Sequence, residues 1–259
     1  MYFYFCPYRA KLHCLQDTQG VALGYEKHWA FSPLMLNPKL QLNNITCFAK
    51  SVIKVITSVN NLPALTENNR IFVAYNKKHN IMKKVIVIST SLRVGSNSDM
   101  LADQFVEGAK AAGNDVEKIT LAGKTISFCK GCLACQKLGK CVIKDDANDI
   151  MQKVLEADVV CWASPIYYYE MSGQMKTLID RMNAMYSLDY KFRDIYLLTT
   201  AAEDEPEVPK RAEAGLTGWI DCYPKSRLVA TVFCGGVDAP RTIEGNSKLQ
   251  EAYKLGENV

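Results

Sequence analysis

The sequence predicts an α/β fold in which a five-stranded parallel sheet of order 2-1-3-4-5 carries helices on both faces. Three observations carry that reading. From Met82 onward, short apolar runs of strand length alternate with stretches whose apolar residues recur every three or four positions. The first of these runs, Val85 to Ile88, passes into a hydroxyl-rich turn that opens a helix. A later buried run, Val159 to Ala163, passes into a second polar loop with one proline and three consecutive tyrosines.

Taken in order, VIVI at Val85 to Ile88 is the first buried strand, and Leu101, Phe105, Ala109 and Ala112 mark the apolar face of the helix that follows. Gly113 stands where a helix C-terminal cap belongs. Asp115 to Thr120 is a second strand, followed by a cysteine-bearing connection to about Asp145. Asp146 is placed to cap a helix that turns Ile150, Val154 and Leu155 inward. Val159 to Ala163 is the third strand; Met175, Leu178, Ile179 and Met182 face inward from the next helix. Ile195 to Thr200 and Leu228 to Cys234 supply strands four and five, with a helix around Lys210 to Asp221 between them and a last one from about Asn246 to Leu255. Right-handed crossovers place helices on both faces of such a sheet, and ligands bind at the carboxyl ends of its strands. In this order strands one and three are neighbours, so the loops after them can touch one ligand.

Residues 1–81 differ in composition. They hold nine Lys+Arg against three Asp+Glu, and all three histidines, His13, His28 and His79. Of the 31 Lys+Arg and 27 Asp+Glu in the chain, 22 and 24 remain for residues 82–259, so the net charge of +4 does not describe the main body. A nucleic-acid surface on that body is not expected. Residues 1–81 show little periodicity beyond a short helix near Phe48 to Val59, and Met82-Lys83-Lys84 reads as a natural start; the expectation is an appended, non-core or disordered extension before a domain at 82–259. No run reaches the roughly eighteen apolar residues of a membrane helix, and no secretory-type start is visible, so a cytoplasmic protein off the membrane is expected.

The first turn, Val85 to Ser98 with the sequence VIVISTSLRVGSNS, is an anion site by its chemistry. The first N–H groups of a helix lack internal partners and carry the positive end of its dipole. Ser91, Ser96, Asn97 and Ser98 add side-chain donors and Arg93 a charge. Neither G-x-G-x-x-G nor the full G-x-x-x-x-G-K-[ST] loop occurs, which points away from a dinucleotide or triphosphate and toward a monophosphate ester, with FMN foremost. The plainer alternative is a serine-rich turn that only caps a helix. In SPIYYYEMS, Ser164 to Ser172, Pro165 is expected to fix a turn while Tyr167, Tyr168 and Tyr169 offer flat surface to a planar ring; the plainer alternative is that two of the tyrosines pack in the core. Because residues 82–259 contain no histidine, a Cys-His or Ser-His pair cannot be built there, and a bound cofactor is expected to carry the chemistry.

Three motifs, S-x-R-x-x-S-N-S at Ser91 to Ser98, A-S-P-I-Y-Y at Ala163 to Tyr168 and S-G-x-M-K at Ser172 to Lys176, make residues from Met82 to about Leu255 resemble the NADPH-dependent FMN reductase family of flavodoxin-like proteins. The resemblance implies that Ser91, Arg93, Ser96, Asn97 and Ser98 bind the FMN phosphate and that Pro165, Ile166, Tyr167 and Tyr168 line the flavin. It places a third loop at Thr199 to Glu203, with Thr199 a flavin neighbour, although TTAAE stands where relatives are often glycine-rich. It also implies a homo-oligomer.

Cys129, Cys132, Cys135 and Cys141 read C-x2-C-x2-C-x5-C, a spacing more typical of a 4Fe-4S cluster than of zinc. The pattern resembles that of iron-sulfur flavoproteins, in which such a motif carries a 4Fe-4S cluster that exchanges electrons with FMN; zinc and free or redox-active thiols are the alternatives. Cys161, Cys222 and Cys234 read as small core residues. Two functions follow: an NAD(P)H-dependent FMN oxidoreductase that passes electrons to a small acceptor such as a flavin or quinone, or an iron-sulfur flavoprotein that carries electrons between protein partners. A flavin-binding protein without turnover is a third.

Overall fold

A computed structural model describes residues 82–259. The expectations for residues 1–81 lie outside the described residues. Strands β1 (Lys84–Ser89), β2 (Asp115–Thr120), β3 (Val159–Tyr167), β5 (Asp194–Thr200) and β6 (Arg227–Cys234) form a parallel sheet in the order β2-β1-β3-β5-β6. Numbered as five parallel strands, this is the predicted 2-1-3-4-5 order. One strand was not foreseen: β4 (Glu170–Met171) folds back antiparallel on the end of β3, pairing Ile166 with Met171 and Tyr167 with Glu170.

Period-two alternation divides the strand side chains between two cores. Ile86, Ile88, Val160, Trp162, Ile195 and Leu197 face one side, where α3 (Ala147–Glu156), α4 (Gly173–Arg181) and α5 (Lys210–Ile220) cover them. Val85, Val87, Val159, Cys161, Leu198 and Val232 face the other, under α1 (Asn97–Ala111) and α6 (Ser247–Glu257). A five-residue helix, α2 (Ala134–Leu138), lies in the cysteine-bearing connection, and a 3-10 turn (Met182–Met185) extends α4. Helices α1 and α6 touch through glycines. A Cβ on Gly108 would stand 2.0 Å from the Tyr253 carbonyl oxygen, and one on Gly256 2.1 Å from that of Phe105.

Gly113 ends α1 at a φ of +87°, as its position suggested. Asp146 holds the N-cap position of α3, as expected, but its side chain makes no cap bond. Its carboxylate accepts instead from the Thr125 N–H at 2.7 Å, and the neighbouring Asp145 takes the Ala147 N–H at 3.2 Å. Cys161 and Cys234 are buried as expected, Cys222 partly so, and burial pushes the Cys161 thiol well up from its ordinary pKa. No described helix is long and apolar enough to cross a membrane.

Candidate functional site

The carboxyl ends of four parallel strands converge on one cavity of about 650 Å³, a size typical of small-ligand sites. The loop after β1 contributes Ser91, Arg93, Ser96 and Asn97, and the end of β3 contributes Pro165, Ile166, Tyr167 and Tyr168. Thr200 ends β5 and Ala201 and Ala202 follow it, and Val237 and Asp238 follow β6.

A buried hydroxyl chain sets the first two loops against each other. The Thr90 N–H and hydroxyl both donate to the Ala163 carbonyl, at 2.9 and 3.0 Å, and the Thr90 hydroxyl meets that of Ser172 at 2.9 Å. Ser172 caps α4 by accepting from the Met175 N–H, and its own N–H donates to the Ser164 hydroxyl at 2.9 Å. Thr90, Ser164 and Ser172 are all fully buried, so each bond acts away from competing water.

At the first turn, Ser96 occupies the N-cap of α1 but makes no side-chain cap bond; its hydroxyl meets that of Ser98 at 3.0 Å. The helix therefore presents its N-terminal end to the cavity without a capping side chain, an arrangement suited to an anion. Arg93 is the cation on the lining and donates to the Asp238 carbonyl at 2.6 Å. Asn97 is committed elsewhere: its amide donates to the Ala239 carbonyl at 2.9 Å and its oxygen accepts from the Ile243 N–H at 3.3 Å. It lines the cavity while its side chain fastens the loop after β6. Ser98 and Thr199 are fully buried and do not line the cavity; the Thr199 hydroxyl donates back to Val232 within the sheet.

Pro165 belongs to the strand and not to a turn, in register with Thr200. The turn comes later, at Tyr168 and Tyr169, which have φ values of +52° and +65°. Two left-handed residues are what a two-residue hairpin loop requires, usually of Asn-Gly; tyrosines there are strained, as is common near functional sites. None of the three tyrosines is a core residue, and Tyr168 is 98% exposed. Tyr169 donates from its hydroxyl to Glu203 at 2.8 Å, and the Arg211 guanidinium lies 5.7 Å from its ring centre. The hydrogen bond to Glu203 raises the Tyr169 pKa. Thus TTAAE fastens the hairpin through its last residue. The residues not foreseen, Val237 and Asp238, follow Gly235-Gly236 directly, and that glycine pair after an apolar strand was the available signal.

Cys129, Cys132, Cys135 and Cys141 line a second, smaller pocket together with Asp180, Arg181 and Asn183. Among the described residues no group of three or more His, Cys, Asp or Glu is arranged to hold a metal ion, so the sulfurs share a pocket without converging on one point. Hydrogen-bond donors nonetheless reach two of the sulfurs. The Gly131 N–H points at the Cys129 sulfur at 3.5 Å and the Asn183 amide at that of Cys135 at 3.4 Å. Asn148 accepts from the Cys141 N–H at 3.0 Å and donates to the Cys141 and Ile143 carbonyls, at 3.2 and 2.9 Å.

The base of this loop is closed by Arg181 and Asp145, whose side chains are 0% and 4% exposed and bridge in two places, at 2.6 and 2.8 Å. Arg181 also donates to the Ser127 carbonyl at 2.8 Å and that of Ile143 at 3.2 Å, tying together the segments on either side of the cysteines. Burial works to raise the Asp145 carboxyl, but hydrogen bonds from Arg181 and from the Ser127 and Ala147 N–H groups hold it below the ordinary carboxylate range.

Residues 83–203 match the sequence model of the NADPH-dependent FMN reductase family, which bears out the resemblance drawn from the three motifs. An iron-sulfur flavoprotein of Archaeoglobus fulgidus is 40% identical over 101 residues, 39% of this chain and 46% of that protein. Another, of Methanosarcina thermophila, is 34% identical over 98 residues, 38% of this chain and 51% of that protein. The chain thus spans about half the length of the curated relatives it matches. Among solved structures, an NAD(P)H:quinone oxidoreductase from Methanothermobacter marburgensis superposes with a TM-score of 0.56 at 15% identity, covering 68% of this chain and 96% of that one. An azoreductase from Bacillus anthracis does so at 0.53 and 16%, covering 69% and 100%. At these identities the likeness shows the flavodoxin-like fold.

Proposed function

We propose that residues 82–259 form an FMN-binding domain and that the protein is an FMN-dependent oxidoreductase moving electrons from NAD(P)H to a small acceptor such as a flavin or quinone. The observation that carries this reading is the uncapped N-terminus of α1 opening, beside Ser91, Ser96 and Arg93, into a cavity whose opposite wall is Pro165 to Tyr168. An anionic tail and a flat aromatic body have matching surfaces there. When bound, FMN supplies acceptance of a hydride and release of electrons singly or in pairs.

The chain's own part is to bind and orient. Ser91 and Ser96 offer hydroxyl donors, Arg93 a fixed charge, and the Thr90–Ser172–Ser164 chain holds the two loops at a set separation. Asn97 lines the cavity and fastens the loop after β6, while Ser98 and Thr199 act from behind it, Ser98 through the Ser96 hydroxyl and Thr199 within the sheet. The exposed Tyr168 leaves one side of the cavity open to a second planar molecule, which is where a nicotinamide or an acceptor would stack.

The test is titration of FMN into apoprotein, followed by quenching of flavin fluorescence. Micromolar or tighter binding is expected, weakened at least about tenfold by Arg93→Ala combined with Ser96→Ala, since hydrogen bonds to a charged group contribute about 1.5–3 kcal/mol each. Apoprotein that ignores FMN overturns the reading.

A second reading is favoured by the four cysteines on one pocket and by the names of the relatives: an iron-sulfur flavoprotein passing electrons to a protein partner, with Cys129, Cys132, Cys135 and Cys141 holding a 4Fe-4S cluster. By type the donor set suits such a group, being four thiols with an N–H aimed at each of two sulfurs, those of Cys129 and Cys135. About four irons per chain together with no anaerobic oxidation of NADH or NADPH would favour it over the reductase. Under either reading the protein works in the cytoplasm as a homo-oligomer, with residues 1–81 an extension the domain does not need. A chain begun at Met82 that fails to fold overturns that last point.

A further inference from the structure

Arg181 has five N–H donors, and four of them are accounted for by Ser127, Ile143 and both oxygens of Asp145. The fifth, Nε, is buried and completes no hydrogen bond. Orphaned buried donors are rare and call for an explanation. Arg181 and Cys141 line the same cysteine pocket. Two residues along the chain, Asn183 aims its amide at Cys135. One short segment at the end of α4 thus brings a buried guanidinium to the pocket and turns an amide toward one of its four sulfurs.

We infer that Arg181 and Asn183 are positioning residues of the cysteine pocket, which set the reduction potential of an iron-sulfur group held there by stabilising negative charge on the sulfurs of the pocket. The inference rests on the cluster reading above. One-electron reduction by an external reductant, dithionite in the laboratory, adds one negative charge to the thiolate-bound group. N–H donors lining the pocket favour that more negative state, so their removal makes reduction harder.

The structure also dictates how to remove them. Arg181 cannot be cut back alone, because Asp145 would be left as a buried unpaired carboxylate. The pair is therefore replaced together, as Arg181→Gln with Asp145→Asn, and Asn183→Leu is made separately because it leaves the ion pair untouched. Full-length proteins are reconstituted anaerobically with ferrous iron and sulfide. Iron content, thermal unfolding by circular dichroism and a redox titration followed by electron paramagnetic resonance are then measured. The expected result is full iron in all three proteins, with the ratio of reduced to oxidised group at a fixed potential falling about tenfold in the double variant, about 59 mV for one electron. A smaller fall in the same direction is expected for Asn183→Leu.

If the double variant does not fold, Asn183→Leu decides alone. Unchanged potentials in folded, iron-loaded variants overturn the inference and leave the cluster reading standing. Wild-type protein that takes up no iron overturns both.

Discussion

Replacing Thr90 by valine keeps the shape and the β-branch while deleting one hydroxyl. That hydroxyl makes two bonds, to the Ala163 carbonyl at 3.0 Å and to the Ser172 hydroxyl at 2.9 Å. The two losses are unequal. Ala163 keeps the Thr90 N–H as a donor at 2.9 Å, so its carbonyl is not orphaned. The fully buried Ser172 hydroxyl loses its partner for one of its two roles, although it still accepts from Met175. A net hydrogen bond contributes about 1 kcal/mol, and an orphaned buried hydroxyl costs about 1–3 kcal/mol. Thr90→Val should therefore destabilise the domain by about 2–3 kcal/mol, which lowers the melting temperature by roughly 4–12 °C for a domain of this size. Ser172→Ala should cost about 1–2 kcal/mol through the lost α4 cap and the lost contact with the Thr90 hydroxyl, while its N–H still donates to Ser164. The double variant leaves no orphan at this contact and should cost at least about 1 kcal/mol less than the sum of the two. Urea unfolding followed by tryptophan fluorescence measures all four corners of the cycle, and FMN titration should weaken in parallel because the same contact spaces the two cavity loops. Strict additivity, or a Thr90→Val cost below about 0.5 kcal/mol, would refute the reasoning.

Two further expectations concern stability. Gly108→Ala puts a methyl group 2.0 Å from a backbone carbonyl of α6 and should cost at least about 1–3 kcal/mol, whereas Gly218→Ala, in an exposed helical position with nothing within 4 Å, should stabilise by about 0.5–1 kcal/mol; thermal melts that rank the two the other way contradict the close-contact assignment. Acid should loosen the domain through Asp145 and Asp158. For Asp158, too, burial acts to raise the pKa, but hydrogen bonds from the Lys84 N–H and Lys191 prevail, so both carboxyls lie below their unfolded values. Their contribution is present in full above the unfolded pKa of about 4 and is lost as pH falls through the lower folded values. Urea midpoints should drop steeply below about pH 4, with a shallower fall in Asp158→Asn, and a midpoint flat from about pH 5 to 3 contradicts the assignment.

The sheet was legible because its strands are apolar runs bounded by polar turns. Asp115 to Thr120 falls on the strand observed, and the alternation in VIVI sends Val85 and Val87 to one core and Ile86 and Ile88 to the other. The first-turn and β3 cavity residues were legible for a related reason: both loops follow such runs directly. Failures came where local chemistry has two outlets. Pro165 reads as a turn former, yet a parallel strand near its end tolerates proline, and the reversal fell instead to two tyrosines that no propensity would select. Asp146 reads as a cap and holds that position, but its carboxylate goes to Thr125 and the Ala147 N–H is taken by Asp145 instead.

Arg181 itself was invisible in the sequence. A helix-terminal arginine is ordinarily a solvated, dipole-complementing charge, and its burial against Asp145 depends on a contact 36 positions away. Asn97 followed the same course: its place in a serine-rich turn suggested a ligand donor, while its amide serves a loop about 140 positions further on. In both cases the residue type announced a polar role and the fold chose the partner. What the sequence could not reveal was therefore the partners of Arg181 and Asn97, and substituting these two residues tests the two readings separately.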